Sequence, residues 1–177
     1  MSRSFDPRLM LVTDRILAGG RAIEAIAASA ARGGATAVQL RDKSLADEDL
    51  LRLALAVKSA LAPFGVPLLI NDRIAVAAAA GSAGVHLGQM DASVEEARRV
   101  LGPAAVIGLS IGAPSQAEAA RDLDIDYLGV SPVFATPTKP DAGNPWGLSG
   151  LRELRRRTDR VLVAIGGIGL ANAADVL

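Results

Sequence analysis

Gln39, Arg41 and Lys43 alternate along the segment Gln39-Leu-Arg-Asp-Lys43. On an extended chain residues two apart share a side, so these three face one way at a strand end, Lys43 included if the extended geometry persists. A guanidinium for paired oxygens and an ammonium as a point charge together make an anion pocket. The competing reading pairs those charges with Asp42 or Asp47. Further on, Asn71-Asp72-Arg73 follows one apolar run, and Asp91 follows Gly88-Gln89-Met90 after the next. Two carboxylates at adjacent strand ends, without a His or Cys cluster, suit a hard, oxygen-preferring cation such as Mg2+. Alternatively, each aspartate caps its own helix. A pyrophosphate would need the cation and the basic pocket together.

The stretch Asp126–Pro140 begins with the apolar Tyr127, Leu128, Val130 and Val133 and ends in Thr136-Pro-Thr-Lys139-Pro. Its prolines forbid a helix and hold Thr136, Thr138 and Lys139 in a turn region rich in hydroxyls and N–H groups. Lys139 is one of only three lysines, with Lys43 and Lys58, against sixteen arginines. A compact ammonium meets a cluster of anionic oxygens as a point charge; a solvated lysine on a proline-rich loop is the plainer account. Ser110 closes another strand before Ile111-Gly112-Ala113, where it can donate to a phosphate or cap the turn. Gly166-Gly167-Ile168-Gly169 is a glycine turn ahead of a helix, a recurring way to hold phosphate through backbone N–H groups. His86, the single histidine, lies inside Gly84-Val-His-Leu-Gly, where packing is its expected role. No Ser-His-Asp or Cys-His arrangement can be assembled.

The elements that must position these residues alternate regularly. β-type runs occur at Leu9–Thr13, Thr36–Arg41, Pro67–Asn71, Gly84–Leu87, Ala105–Ser110, Asp126–Ser131 and Val161–Ile165. Between them lie helical patterns, clearest at Ala46–Phe64, with Leu50, Leu53, Ala54, Val57 and Leu61 on one face. Ser93-Val-Glu-Glu96 is a capping-box pattern, Pro114 opens a helix, and Gly33-Gly34 and Gly65 close helices. Strand starts about 25 residues apart fit short βα repeats. A doubly wound sheet concentrates its chemistry at one switch point, whereas a barrel gathers it from many loops. Polar residues recur at strand end after strand end, at Arg41, Asn71, Gln89, Ser110, Thr136 and Gly166-Gly167. The expected fold is therefore α/β, a (β/α)8 TIM-type barrel. The 177 residues read as a single barrel domain whose eighth βα unit is absent from the sequence.

Bulk properties narrow the function classes. Half the residues are hydrophobic and 3 % are aromatic, so the core is Ala, Val, Leu and Ile. Net charge is zero, which leaves no electrostatic case for nucleic acid. The cluster Arg152–Arg160 reads as a helix end complementing the macrodipole. Absence of cysteine excludes a disulfide framework and thiolate chemistry. With no secretory pattern and no membrane-length apolar run, a cytoplasmic protein is expected. Nothing in the sequence opposes a homo-oligomer.

Taken in order, Gln39-Leu-Arg-Asp-Lys43, Leu69-Ile-Asn-Asp72, Gly84-Val-His-Leu-Gly-Gln89 with Asp91, Ser110, Thr136-Pro-Thr-Lys139 and Ala164-Ile-Gly-Gly-Ile168 resemble thiamine phosphate synthases. That resemblance implies a (β/α)8 transferase, dependent on Mg2+. Its members condense 4-amino-2-methyl-5-hydroxymethylpyrimidine diphosphate with a thiazole phosphate and release pyrophosphate. It implies that Gln39, Arg41 and Lys43 hold the pyrimidine diphosphate beside Asn71, and that Asp72 and Asp91 bind Mg2+. Ser110 and Lys139 would meet the pyrophosphate, and Thr136, Thr138 and Gly167 the thiazole phosphate. Lys139, Ser110, Arg41 and Lys43 are the expected catalytic set. Two departures stand out: the family's eighth strand, whose loop helps hold the thiazole phosphate, is absent, and Gly112 stands where many relatives carry histidine. Thiazole tautomerases, similar in fold, depend on a histidine there. A tautomerase-like protein and a non-catalytic relative that binds thiamine precursors are the alternatives.

Overall fold

The computed structural model describes residues 5–138 and 143–177. Seven parallel strands are hydrogen-bonded in sequence order. They are β1 (Met10–Val12), β2 (Ala37–Leu40), β3 (Leu68–Asn71), β4 (Gly84–Leu87), β5 (Val106–Ile111), β6 (Tyr127–Val130) and β7 (Val161–Ala164). The helices are α1 (Arg15–Ala18), α2 (Ile23–Arg32), α3 (Asp47–Leu61), α4 (Ile74–Ala80), α5 (Val94–Leu101), α6 (Pro114–Ala119), α7 (Gly147–Arg157) and α8 (Ala173–Val176). Every strand after the first is thus reached through at least one helix, as parallel pairing requires. Among the described residues no helix is long and apolar enough to cross a membrane.

The chain divides into two compact units. One holds the chain through Leu87 together with Asp91–Ile107; the other holds Gly88–Met90 and Gly108–Leu177. In the first, all four residues of β2 and of β4 are buried, the signature of parallel strands covered on both faces. Registers Val12↔Gln39, Leu40↔Ile70 and Asn71↔His86 carry β1 through β4 in step. Helix α3 turns Leu50, Ala54, Val57 and Leu61 inward. The expected helix Ala46–Phe64 ends four turns in: Ala62 keeps α geometry, but Pro63 has no N–H to continue the i→i−4 ladder. Ala62–Phe64 tightens to a 3-10 turn and Gly65 closes it at φ 64°. As the capping pattern foretold, Ser93 Oγ accepts the Glu96 N–H at 3.1 Å. Glycine at position 84 lets two backbones touch, since a Cβ there would lie 1.8 Å from the Val106 carbonyl oxygen.

In the second unit, β5 pairs with β6 and β6 with β7. Tyr127 is fully buried and lies opposite Gly108. A Cβ on Gly108 would stand 2.1 Å from the Tyr127 ring, so the glycine is the space that ring occupies. Pro114 opens α6 as expected. Arg155–Arg157 fill the last turn of α7, where Arg155 donates to the Thr158 carbonyl and, at 2.9 Å, to that of Arg160. The basic cluster is a helix terminus held by its own cations.

Candidate active site

The first unit brings four of the expected site residues together. Asp72 follows β3, and its N–H donates to the His86 carbonyl at 2.8 Å, fixing it to β4. The Arg73 N–H reaches back to the Asn71 carbonyl at 2.8 Å, closing a three-residue turn about Asp72 at φ 63°. A non-glycine residue in that region costs on the order of 1–3 kcal/mol, a strain that proteins concentrate at functional sites. The turn places the Asp72 carboxyl in hydrogen-bond contact with that of Asp91. Burial, then the Asp91 hydrogen bond and charge, push the Asp72 carboxyl up to about 6, against the opposing pull of Lys43 and Arg41. Lys43 Nζ stands 3.7 Å from Asp72 Oδ2.

Two facing carboxyls in a half-buried place must share a proton or a cation. The donor set fits a hard divalent ion: oxygen only, negatively charged, with a lysine and an arginine at its edge to balance further anionic oxygens. Among the described residues no third His, Cys, Asp or Glu joins the pair. A cation held here would complete its shell with water and with oxygens of the substrate.

The alternative pairings of the basic strand end are not formed. Asp42 faces Arg15 at 2.8 Å and Asp47 forms an ion pair with Arg73. The helix-capping role does not describe Asp72 either; α4 has Arg73 at its N-cap without a side-chain bond. Gln39 is 5 % exposed, and its Nε2 meets Met10 Sδ at 3.7 Å, a weak partner for an amide. Asn71 ends β3, partly exposed. His86 is buried in β4, the packing role expected of it. One residue that sequence reasoning missed is Thr13. Its N–H donates to the Gln39 carbonyl at 2.9 Å, and its hydroxyl accepts the Arg41 N–H at 3.0 Å. Thr13 closes the β1 run one residue after the strand, a position that could have flagged it.

The second unit holds the remaining described candidates. Ser110 lies within β5, one residue before the strand's end, and its carbonyl accepts Gln89 Nε2 at 2.7 Å. Thr136 Oγ1 accepts the Thr138 N–H at 3.3 Å, so one candidate hydroxyl shapes the turn that carries the other. Gly166 and Gly167 adopt φ 101° and 65°, and a Cβ on Gly167 would lie 2.7 Å from the Ala135 carbonyl. The loops after β6 and β7 therefore lie backbone on backbone, tied by Val133 N–H to Ile165 O and Phe134 N–H to Gly166 O, both at 2.9 Å. Asn172, also missed from sequence, clasps the glycine turn by donating to Gly167 O at 3.0 Å and accepting from Gly169 N–H at 2.8 Å. Helix α8 starts only at Ala173, so the glycine turn precedes it by several residues. Lys139 lies outside the described residues.

Comparison with known proteins converges on one family. A profile described as thiamine monophosphate synthase matches residues 9–177. The thiamine-phosphate synthase of Albidiferax ferrireducens is 55 % identical over 170 residues, covering 96 % of this chain and 78 % of that protein. That of Xanthobacter autotrophicus is 48 % identical, covering 100 % of this chain and 84 % of its own length. Among solved structures, thiamine phosphate pyrophosphorylase from Pyrococcus furiosus superimposes with a TM-score of 0.85 at 33 % identity, over 95 % of this chain and 79 % of that one.

Proposed function

The chain belongs to the thiamine monophosphate synthase family, and on that premise we propose that it is a thiamine phosphate synthase. It joins 4-amino-2-methyl-5-hydroxymethylpyrimidine diphosphate to a thiazole phosphate and releases pyrophosphate. The observation that carries the reading is the Asp72–Asp91 pair with Lys43 at its edge. In a diphosphate displacement, charge develops on the leaving oxygens, and catalysis lies in neutralising it where it appears.

In this reading Arg41 and Lys43 hold the diphosphate, with Gln39 and Asn71 on the pyrimidine side. Asp72 and Asp91 hold Mg2+, which would supply Lewis-acid stabilisation of the departing pyrophosphate. Ser110 and Lys139 contact the same anion. Thr136, Thr138 and the Gly167 turn receive the thiazole phosphate. The aminopyrimidine stabilises positive charge at its methylene, the C–O bond to the diphosphate breaks, and the thiazole nitrogen supplies the electron pair for the new C–N bond. No proton has to be removed from that nitrogen, which accounts for an active site without an available histidine.

We read the seven βα units as the greater part of a (β/α)8 barrel, in a single domain acting in the cytoplasm on small molecules, with a homo-oligomer allowed. The tautomerase alternative is disfavoured by Gly112. Incubation with both substrates and Mg2+, with thiamine phosphate followed by mass spectrometry, tests the reading. Product that requires both substrates supports it. Interconversion of thiazole isomers without condensation would replace it with the tautomerase.

A further inference from the structure

Side chains alternate along Arg41-Asp-Lys43, and the structure uses both sides of the segment. Lys43 turns toward Asp72, while Asp42 turns the other way into a closed set of hydrogen bonds. Its Oδ1 accepts the Ser44 N–H at 2.8 Å, the Ser44 hydroxyl at 2.7 Å and the Leu45 N–H at 3.1 Å. Its Oδ2 accepts Arg15 Nε at 2.8 Å, and Arg15 Nη2 donates to the Ser44 hydroxyl at 2.8 Å. The Asp42 side chain is 5 % exposed, whereas that of Lys43 is 62 % exposed.

That contrast decides which residue fixes the loop. An ion pair as exposed as Lys43–Asp72 is screened and cannot hold a flexible four-carbon stem or the backbone beneath it. A buried carboxylate with four charge-assisted bonds can. We propose that Asp42, braced by Arg15 and Ser44, is a positioning residue that sets the Lys43 ammonium for the substrate's diphosphate. This inference rests on the synthase reading. An Asx turn needs only a neutral acceptor. The carboxylate is needed for Arg15, which ties the start of α1 to the loop after β2. Burial alone would push the Asp42 carboxyl up, yet the Ser44, Arg15 and Leu45 bonds bring it down to about 2, so it stays charged at working pH.

The test is Asp42→Asn in the full chain, alone and combined with Lys43→Ala. It follows kcat, the KM of each substrate, the melting temperature, and Mg2+-pyrophosphate binding by calorimetry. The amide keeps the turn but cannot accept on both sides, so Arg15 is released. Expected is a rise in the pyrimidine diphosphate KM on the order of ten-fold, with the thiazole phosphate KM unmoved and the melting temperature lowered by the loss of the Asp42–Arg15 bond. In the Lys43→Ala background Asp42→Asn adds nothing further. If Asp42→Asn does not fold, Ser44→Ala, at an exposed position, is expected to shift the same KM in the same direction. An unchanged KM, or an equal loss with Lys43 already removed, overturns the proposal. A wild-type chain without synthase turnover defeats the functional reading separately. The inference is then decided by pyrophosphate affinity: a ten-fold weakening in Asp42→Asn upholds it, and no change, or no binding by the wild type, overturns it.

Discussion

Asp91 is exposed and makes its distinctive contribution by standing against Asp72. Asp91→Ala therefore removes charge without opening the core. Turnover at saturating substrates is expected to fall by about 100-fold or more, with little change in thermal unfolding; a rate within a few-fold of wild type contradicts the role given to Asp91. The pair also sets a pH signature. A carboxyl raised to about 6 holds its proton better in the folded state than in the unfolded chain. Its contribution to stability is therefore complete below the ordinary carboxylate range and declines as pH rises through about 6. Melting curves of the metal-free chain should show that decline. Mg2+ should raise the melting temperature more above this range than below it, because protons and cation compete for the same oxygens. Asp42 contributes with the opposite sign, its stabilisation being lost as pH falls toward about 2. How far single residues were legible differed by the range of their contacts. Arg41 and Lys43 announced themselves through local alternation, which needs only the strand period. The strained turn that faces Asp72 with Asp91, and the grip of Thr13 on Arg41, depend on packing between segments that are distant in sequence.

Elements were more legible than individual contacts. Each of the seven expected strands is present, within two residues at either end; the inner ones, such as β2, β4 and β6, are buried on both faces and so write continuous apolar runs. Helix ends signalled by Ser93, Pro114 and Gly65 lie where the local rules place them. Less legible were cations that act on carbonyls. Arg160 donates to the carbonyls of Ile125, Arg121 and Leu123, each at 2.7 Å, and so gathers the chain that follows α6. Lys58, one of the three lysines, binds the Ala80 and Gly81 carbonyls at 2.9 and 2.6 Å, closing α4. Rarity of lysine thus marked a purpose, though at this position a structural one. Gly108 carries a prediction at the same scale. Gly108→Ala drives a methyl into the Tyr127 ring, which has no room to withdraw. The expected loss is about 3 kcal/mol, read as a drop in melting temperature of roughly 6–12 °C for a chain of this size. An unchanged melting temperature would show that the ring is free to move.

At the scale of the whole chain, formal neutrality has a consequence for binding. With as many acidic as basic residues, no global field draws anions to the protein. Under the proposed reading, recognition of two phosphorylated substrates would come from local clusters: the Arg41–Lys43 strand end with its carboxylate pair in one unit, and the threonine and glycine turns in the other. The architecture serves this distribution by ending each parallel strand in a loop that can carry one polar group. The βα alternation behind the seven-stranded parallel sheet was readable from the spacing of apolar runs, and the family from the order of the motifs along it. The most direct test of the central claim is the rate of pyrophosphate release by the purified chain, measured with each substrate alone, with both, and with both after chelation of divalent cations. Release that needs both substrates and stops on chelation is the predicted result. Release from the pyrimidine diphosphate alone, or release indifferent to the chelator, would contradict it.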